Sequence, residues 1–198
     1  MLKVKTAVLV SGGGTNLQAL IDASARGELP DAELVLVVSD RRNAFALERA
    51  KKSGIRAEHI GPDGFEQKLE ALLDECGVEL IVLAGFLKIL SADFTEKRPR
   101  RIINVHPSLI PSFCGEGFYG LRVHEEALKY GVKVTGATVH FVNHIPDGGE
   151  IIFQKAVDVL DGDTPETLQR RVMEQAEWIL LPKAVEKTAK EICHGKSG

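Results

Sequence analysis

Only three cysteines occur in the 198 residues, Cys76, Cys114 and Cys193. The number is odd, the spacings are long and no C-x-x-C pair exists, which argues against a disulfide scaffold and fits a reducing compartment. A basic stripe is missing too. The net charge is −3 and no Lys/Arg block stands out, so a nucleic-acid binder is not expected. No apolar run reaches the roughly 18 residues of a membrane helix, so no membrane association is expected. Residues 1–10 carry Lys3 and Lys5 inside a short apolar run without a cleavage pattern. No signal peptide is therefore expected, and the protein reads as cytoplasmic. Repeats, low-complexity tracts and linkers are also lacking. What is there is 44% hydrophobic and 27% charged, an ordinary globular balance. A chain of this length can bury roughly 70% of the surface its unfolded form exposes, enough for one domain without a staple.

Short apolar runs alternate with helical periodicity through the first half. Residues 6–10, 34–38, 55–60 and 80–84 read as strands, and residues 17–25, 44–52 and 63–76 as helices with the last two closed by Gly54 and Gly77. This βαβαβαβ order predicts a parallel sheet covered on both faces. Residues 85–91 are apolar yet follow a strand's carboxyl end, where α/β sheets bind ligands. A wall for a flat heteroaromatic ring and a short core helix are both open readings. Residues 112–120 form a glycine-rich loop with three aromatics, the composition of a mobile flap over a site. Residues 134–142 and 150–159 read as further strands, and His140 is expected to point inward and bond a neighbour. Thr164, Pro165 and Glu166 start a helix that should bend or break at Pro182. The tail, residues 194–198, looks frayed.

Two clusters carry chemistry. Residues 102–105 form an apolar strand that stops at Pro107, and Asn104 and His106, two apart, share one of its faces. A carboxamide donor and an imidazole at a strand end are what a carbonyl-attack reaction needs to hold an oxyanion. Downstream, Asp147 stands before Gly148 and Gly149, where a loop can bring a carboxylate close to a ligand. A structural histidine is the plain alternative for His106. Cys114, after Pro111, is open to a nucleophilic or an inert role. His140 and His144 lack the partner spacing of a zinc site, so no metal is expected.

The first strand runs into Ser11, Gly12, Gly13, Gly14, Thr15 and Asn16, and then into a helix. Strand, glycine loop and helix present free N–H groups and a positive helix end to an anion, with Thr15 and Asn16 adding side-chain donors. The spacing is neither G-x-G-x-x-G nor a Walker loop. A terminal monophosphate is the functional reading, and a tight turn without a ligand the alternative. Glu177, between Ala176 and Trp178, suits either a solvated helix face or a reach toward the site.

Taken together, residues 11–21 (SGGGTNLQALI), 84–91 (AGFLKILS), 104–111 (NVHPSLIP), 138–142 (TVHFV) and 147–149 (DGG) make the chain resemble the formyltransferases that use 10-formyltetrahydrofolate, over nearly its whole length. The resemblance implies a Rossmann-like, mostly parallel twisted sheet with helices on both faces, extended by a C-terminal mixed portion. It implies one formyltransferase domain over residues 1–198, with a phosphate-binding half at 1–100 and a catalytic and folate-binding half at 101–198. The short length points to the members that act on glycinamide ribonucleotide in purine synthesis, as a monomer or homodimer. Relatives acting on methionyl-tRNA or hydrolysing formylfolate would carry an extra domain. Carried over position by position, the catalytic trio is Asn104, His106 and Asp147, and the phosphate loop is Gly12, Gly13, Gly14, Thr15 and Asn16. Glu177 contacts the ribonucleotide. The folate pocket uses Leu87, Lys88, Ile89, Leu90, Asn143 and His144, and 10-formyltetrahydrofolate is a co-substrate with no metal. Asp147 is expected to favour a charged His106. Two features depart from the family pattern: Pro62 stands where some members have a folate-binding Arg, and loop 112–120 is longer. A folate-dependent hydrolase and a non-catalytic nucleotide binder are the alternatives.

Overall fold

A computed structural model describes residues 3–195. Seven strands form one sheet in the order β3-β2-β1-β4-β5-β6-β7. The first five are β1 (Val4–Val10), β2 (Ala32–Ser39), β3 (Arg56–His59), β4 (Leu80–Leu83) and β5 (Ile102–His106), all parallel. β6 (Val134–Phe141) pairs antiparallel with β5, and β7 (Ile151–Asp158) antiparallel with β6, the mixed C-terminal portion that the resemblance implied. Strand-to-strand alternation builds two cores. Val4, Val8 and Val10 face one side with Leu17, Leu20 and Leu181, while Ala7 and Leu9 face the other with Leu69, Leu73 and Phe94.

Helices α1 (Thr15–Ala25), α2 (Phe45–Lys52) and α7 (Trp178–Gly195) supply apolar side chains to the first core, and α3 (Phe65–Cys76) and α4 (Ala92–Glu96) to the second. Fully burying a Leu such as Leu17 or Leu20 contributes roughly 1.5–3 kcal/mol, so α1 is fixed by packing rather than by a side-chain cap, which it lacks. α5 (Leu121–Tyr130) follows the glycine-rich flap. α6 (Pro165–Val172) begins with a reciprocal cap: Thr167 N–H donates to the Thr164 hydroxyl, and Thr164 N–H to the Thr167 hydroxyl.

One open reading is settled and two expectations are corrected. Residues 85–91 form no helix. They are an irregular segment with Ser91 as the cap of α4. The helix does not break at Pro182, which lies inside α7. The irregularity falls earlier, in a π-helical turn at Met173–Glu177. The α-helix resumes at Trp178 directly after that turn, and Pro182 is the fifth residue of α7. His194 and Gly195, read as part of a frayed tail, belong to α7, and the rest of that tail lies outside the described residues. Among the described residues no helix is long and apolar enough to cross a membrane.

Candidate active site

The cross-strand register puts Asn104 directly opposite His140 and His106 opposite Thr138. Asn104 Nδ2 therefore meets His140 Nε2 at 3.2 Å. His140 Nδ1 lies 2.8 Å from the Phe141 carbonyl and donates to it, which leaves Nε2 facing Asn104 and, at 3.4 Å, Asp147 Oδ1. The second carboxamide hydrogen points at Asp147 Oδ1, 3.4 Å from Asn104 Nδ2.

Asp147 is brought back to β5 by its loop. Its φ is +54°, and side chains at Gly148 and Gly149 would overlap Ile145 and the Phe141 carbonyl respectively. Only glycine lets the chain turn that tightly, and Phe141 N–H closes the base by donating to the Glu150 carbonyl at 2.8 Å. Asp147 Oδ2 accepts from Gly115 N–H of the flap at 2.9 Å and lies 3.5 Å from His106 Nδ1. Asn104, His106 and Asp147, drawn from a strand and a separate loop, are thus in one cluster.

The balance of effects on His106 runs against the expected charged form. Burial pushes the His106 pKa below its ordinary value, and the pull of Asp147 and of the Phe113 carbonyl does not offset it. A neutral imidazole has one N–H, and Phe113 O at 2.9 Å from Nε2 fixes it there. His106 thus directs Nε2–H at the Phe113 carbonyl, with burial disfavouring the imidazolium that Asp147 favours. Burial would raise the Asp147 pKa. The contacts to His140 and His106 and the Gly115 amide outweigh it, so the carboxyl is held below its usual range and stays ionised. Behind His106, His124 of α5 is fully buried, and burial plus the nearby His106 pushes its pKa down to about 4. Cys114 donates to the Pro111 carbonyl at 3.3 Å, and burial raises its pKa, which disfavours a thiolate nucleophile.

The cluster opens into a cavity of about 270 Å³. One wall is the 85–91 segment with Leu87, Lys88, Ile89 and Leu90, and the opposite side carries Phe118, Tyr119, Ile145 and Pro146. Leu87 and Ile89 are exposed, whereas Leu90 is buried against Phe94 and Leu69 and backs the wall. Lys88 Nζ stands 5.4 Å from the Phe65 ring centroid, and Phe65 stacks on Phe86. Asn143 and His144 line the cavity too, but the Asn143 carboxamide is engaged in its own turn, bonded to Ile145 N–H and the Gly148 carbonyl. His144 is exposed beside Glu96.

The glycine loop adjoins this wall: Ser11 N–H donates to the Gly85 carbonyl at 3.1 Å, and Leu87 N–H to the Ser11 hydroxyl at 2.9 Å. Gly14 caps α1 with φ +73° and no side-chain bond, so the first turn keeps its N–H groups unbonded within the helix. Asn16 is not a free donor. Its Nδ2 bonds Glu177 Oε2 at 2.6 Å, because Glu177 is itself buried, only 6% exposed, and needs a partner. The solvated-face reading of Glu177 is thereby overturned. Burial pushes its pKa up to about 7, with the Asn16 bond opposing. Asn16 Oδ1 is buried without a protein partner, and Thr15 Oγ1 lies 3.7 Å from Met173 Sδ. The π turn thus sets Met173 and Glu177 over the loop. Sequence reading missed Phe113, Gly115 and Met173. Two of them act through backbone atoms, which no residue type announces.

A formyl transferase family model matches residues 4–185. A phosphoribosylglycinamide formyltransferase of Haemophilus influenzae is 38% identical over 187 residues, covering 91% of this chain and 85% of that protein. The trifunctional purine biosynthetic protein adenosine-3 of Gallus gallus is 46% identical over 94% of this chain, and the chain spans only 18% of that relative's length. The crystal structure of glycinamide ribonucleotide transformylase 1 from Symbiobacterium toebii superposes with a TM-score of 0.88 at 40% identity, covering 96% of this chain and 89% of that one. The chain belongs to the formyl transferase family, in its phosphoribosylglycinamide formyltransferase branch.

Proposed function

We propose that this transferase moves the formyl group of 10-formyltetrahydrofolate to the glycinamide amine of phosphoribosylglycinamide. The observation that carries the reading is the convergence of Asn104, His106 and Asp147 on one end of a largely apolar cavity beside a glycine loop. The cavity wall at Leu87, Lys88, Ile89 and Leu90, with Asn143 and His144 at the rim, takes the folate. The N–H groups of Gly12, Gly13, Gly14, Thr15 and Asn16 take the monophosphate. Glu177, whose oxygens face Asn16, contacts the sugar of the ribonucleotide. In this division residues 1–100 supply the phosphate site and residues 101–198 the catalytic groups, with the folate wall shared between them. No metal takes part in the proposed chemistry, and the partners are small molecules.

The amine attacks the formyl carbon, and the carbonyl electrons move onto oxygen. Asn104 gives that oxygen the carboxamide hydrogen it now directs at Asp147. His106 gives the Nε2–H it now directs at Phe113, once the flap carbonyl withdraws. Losing one such donor typically costs about 3–4 kcal/mol of barrier. Asp147, ionised as argued above, accepts the proton of the new ammonium. It returns the proton to folate N10 as the C–N10 bond breaks. No covalent enzyme intermediate forms, in keeping with the raised Cys114 pKa.

The test is an assay of deformylated folate release with and without the ribonucleotide. Release that requires the ribonucleotide supports transfer. Release at the same rate without it would mean hydrolysis. Binding of both ligands without release would mean a non-catalytic protein.

A further inference from the structure

Three consecutive glycines cannot hold their own peptide planes, because glycine permits either orientation of each. The loop here is nonetheless held, and α2 does the holding. The Gly12 carbonyl accepts from Ala46 N–H at 3.2 Å. The Gly13 carbonyl accepts from Arg49 Nε at 2.8 Å. In a trans peptide the carbonyl of one residue and the N–H of the next point in opposite directions. Both carbonyls are turned toward α2, so the N–H groups of Gly13 and Gly14 are turned away from it. Among the described residues neither amide donates to a protein atom.

Arg49 is well placed for this. Its guanidinium lies 4.9 Å from the Phe45 ring centroid, and Nη1 donates to Gln18 Oε1 of α1 at 2.9 Å. Gln18 in turn donates to Asp22 Oδ1 at 2.8 Å. Arg49 thus bridges α2, the loop and the first turns of α1. α2 also packs so closely that a side chain at Gly14 would sit 2.6 Å from Ala46 Cβ.

We infer that Arg49 is a positioning residue for the anion cradle: it holds the Gly13–Gly14 peptide with its N–H toward the substrate phosphate. The inference rests on the phosphate reading of the loop. The orienting contact is the Nε–H bond to the Gly13 carbonyl, and the Nη1–H bond to Gln18 holds the guanidinium in place.

The test uses the full chain with Arg49→Ala and Arg49→Gln. Calorimetry gives Kd for ribose 5-phosphate at low salt and at high salt, and steady-state kinetics gives KM for each substrate. In Arg49→Ala the ribose 5-phosphate Kd and the ribonucleotide KM should both rise by about tenfold, as for one lost charge-assisted hydrogen bond. The formylfolate KM and kcat should stay put. Arg49→Gln, whose amide can still donate to the Gly13 carbonyl without charge, should recover most of the affinity, and the loss in Arg49→Ala should persist at high salt. An unchanged Kd in Arg49→Ala overturns the inference. So does a Gln variant as weak as the Ala variant with a loss that vanishes in salt, the signature of simple charge attraction. Equal losses for both substrates with a lowered melting temperature would make the residue merely structural. If the wild-type chain binds ribose 5-phosphate and Arg49→Ala weakens it while no formyl transfer occurs, the enzyme reading fails and Arg49 keeps its role. If the wild-type chain does not bind ribose 5-phosphate, the cradle and Arg49's role fall together.

Discussion

Burial of Glu177 with a single carboxamide partner gives its proton a measurable effect on stability. The folded pKa is raised from 4.5 to about 7, so the native state retains a proton that the unfolded chain has lost. Stability therefore falls as pH rises from about 4.5 to about 7, by up to about 3 kcal/mol for that shift. Glu177→Gln removes the penalty. Denaturant titrations should show the variant equal to wild type near pH 4.5 and more stable at pH 8. A constant difference across that range would place the carboxyl in water. At the reacting centre, Asp147→Asn should keep the fold and ribonucleotide binding while kcat drops about 10²–10⁴-fold, the usual worth of a general base. Asn104→Ala should lose about 10²–10³-fold in kcat, as for one oxyanion donor. Stopped or coupled assays of both variants check this, and near-normal turnover in either removes that residue from the mechanism. The trio was legible in the sequence because a polar pair at a strand end and an acid before two glycines are unusual residue types for those places. The downward push on the His106 pKa was not legible. It depends on burial behind a flap carbonyl, and the Asn16–Glu177 bond depends on a contact across 161 positions.

The parallel strands and the helices between them could be read from apolar runs and 3.6-residue spacing, since both are local and set by what each face must bury. The π turn could not. A single widened turn has no composition of its own, while Pro182 offered a stronger but misleading signal. That turn places Trp178, the one tryptophan, directly after Glu177 with its Nε1 buried and without a protein partner. Ribose 5-phosphate should therefore change the tryptophan fluorescence, and a folate analogue bound alone should change it much less. A response to folate only would detach the turn from the phosphate side. The 142–150 loop gives a second test. Gly149→Ala puts a methyl group onto the Phe141 carbonyl, which should destabilise the fold by about 1–3 kcal/mol and move Asp147 off the cluster. Turnover should fall while ribose 5-phosphate affinity holds. Equal losses in both would show that the loop supports the whole sheet edge rather than one carboxylate.

Across the molecule, one sheet gathers the glycine loop, the apolar wall and the Asn104–His106 pair at the carboxyl end of its central parallel strands. The glycine loop follows β1, the apolar wall follows β4, and β5, which carries Asn104 and His106, lies on the other side of β4. β1 and β4 flank the point where the strand order reverses, the place in open α/β sheets where ligands bind. The antiparallel β6 and β7 then return the chain so that His140 and the Asp147 loop close on β5. Two ligands bound at the glycine loop and along the wall would meet at Asn104, His106 and Asp147. The decisive measurement is the release of deformylated folate by the wild-type chain and by Asp147→Asn, each with glycinamide ribonucleotide present and absent. Release should occur only when wild-type protein and ribonucleotide are combined, and it should collapse in the variant. Release that ignores the ribonucleotide, or that survives loss of the carboxylate, would contradict direct transfer at this cluster.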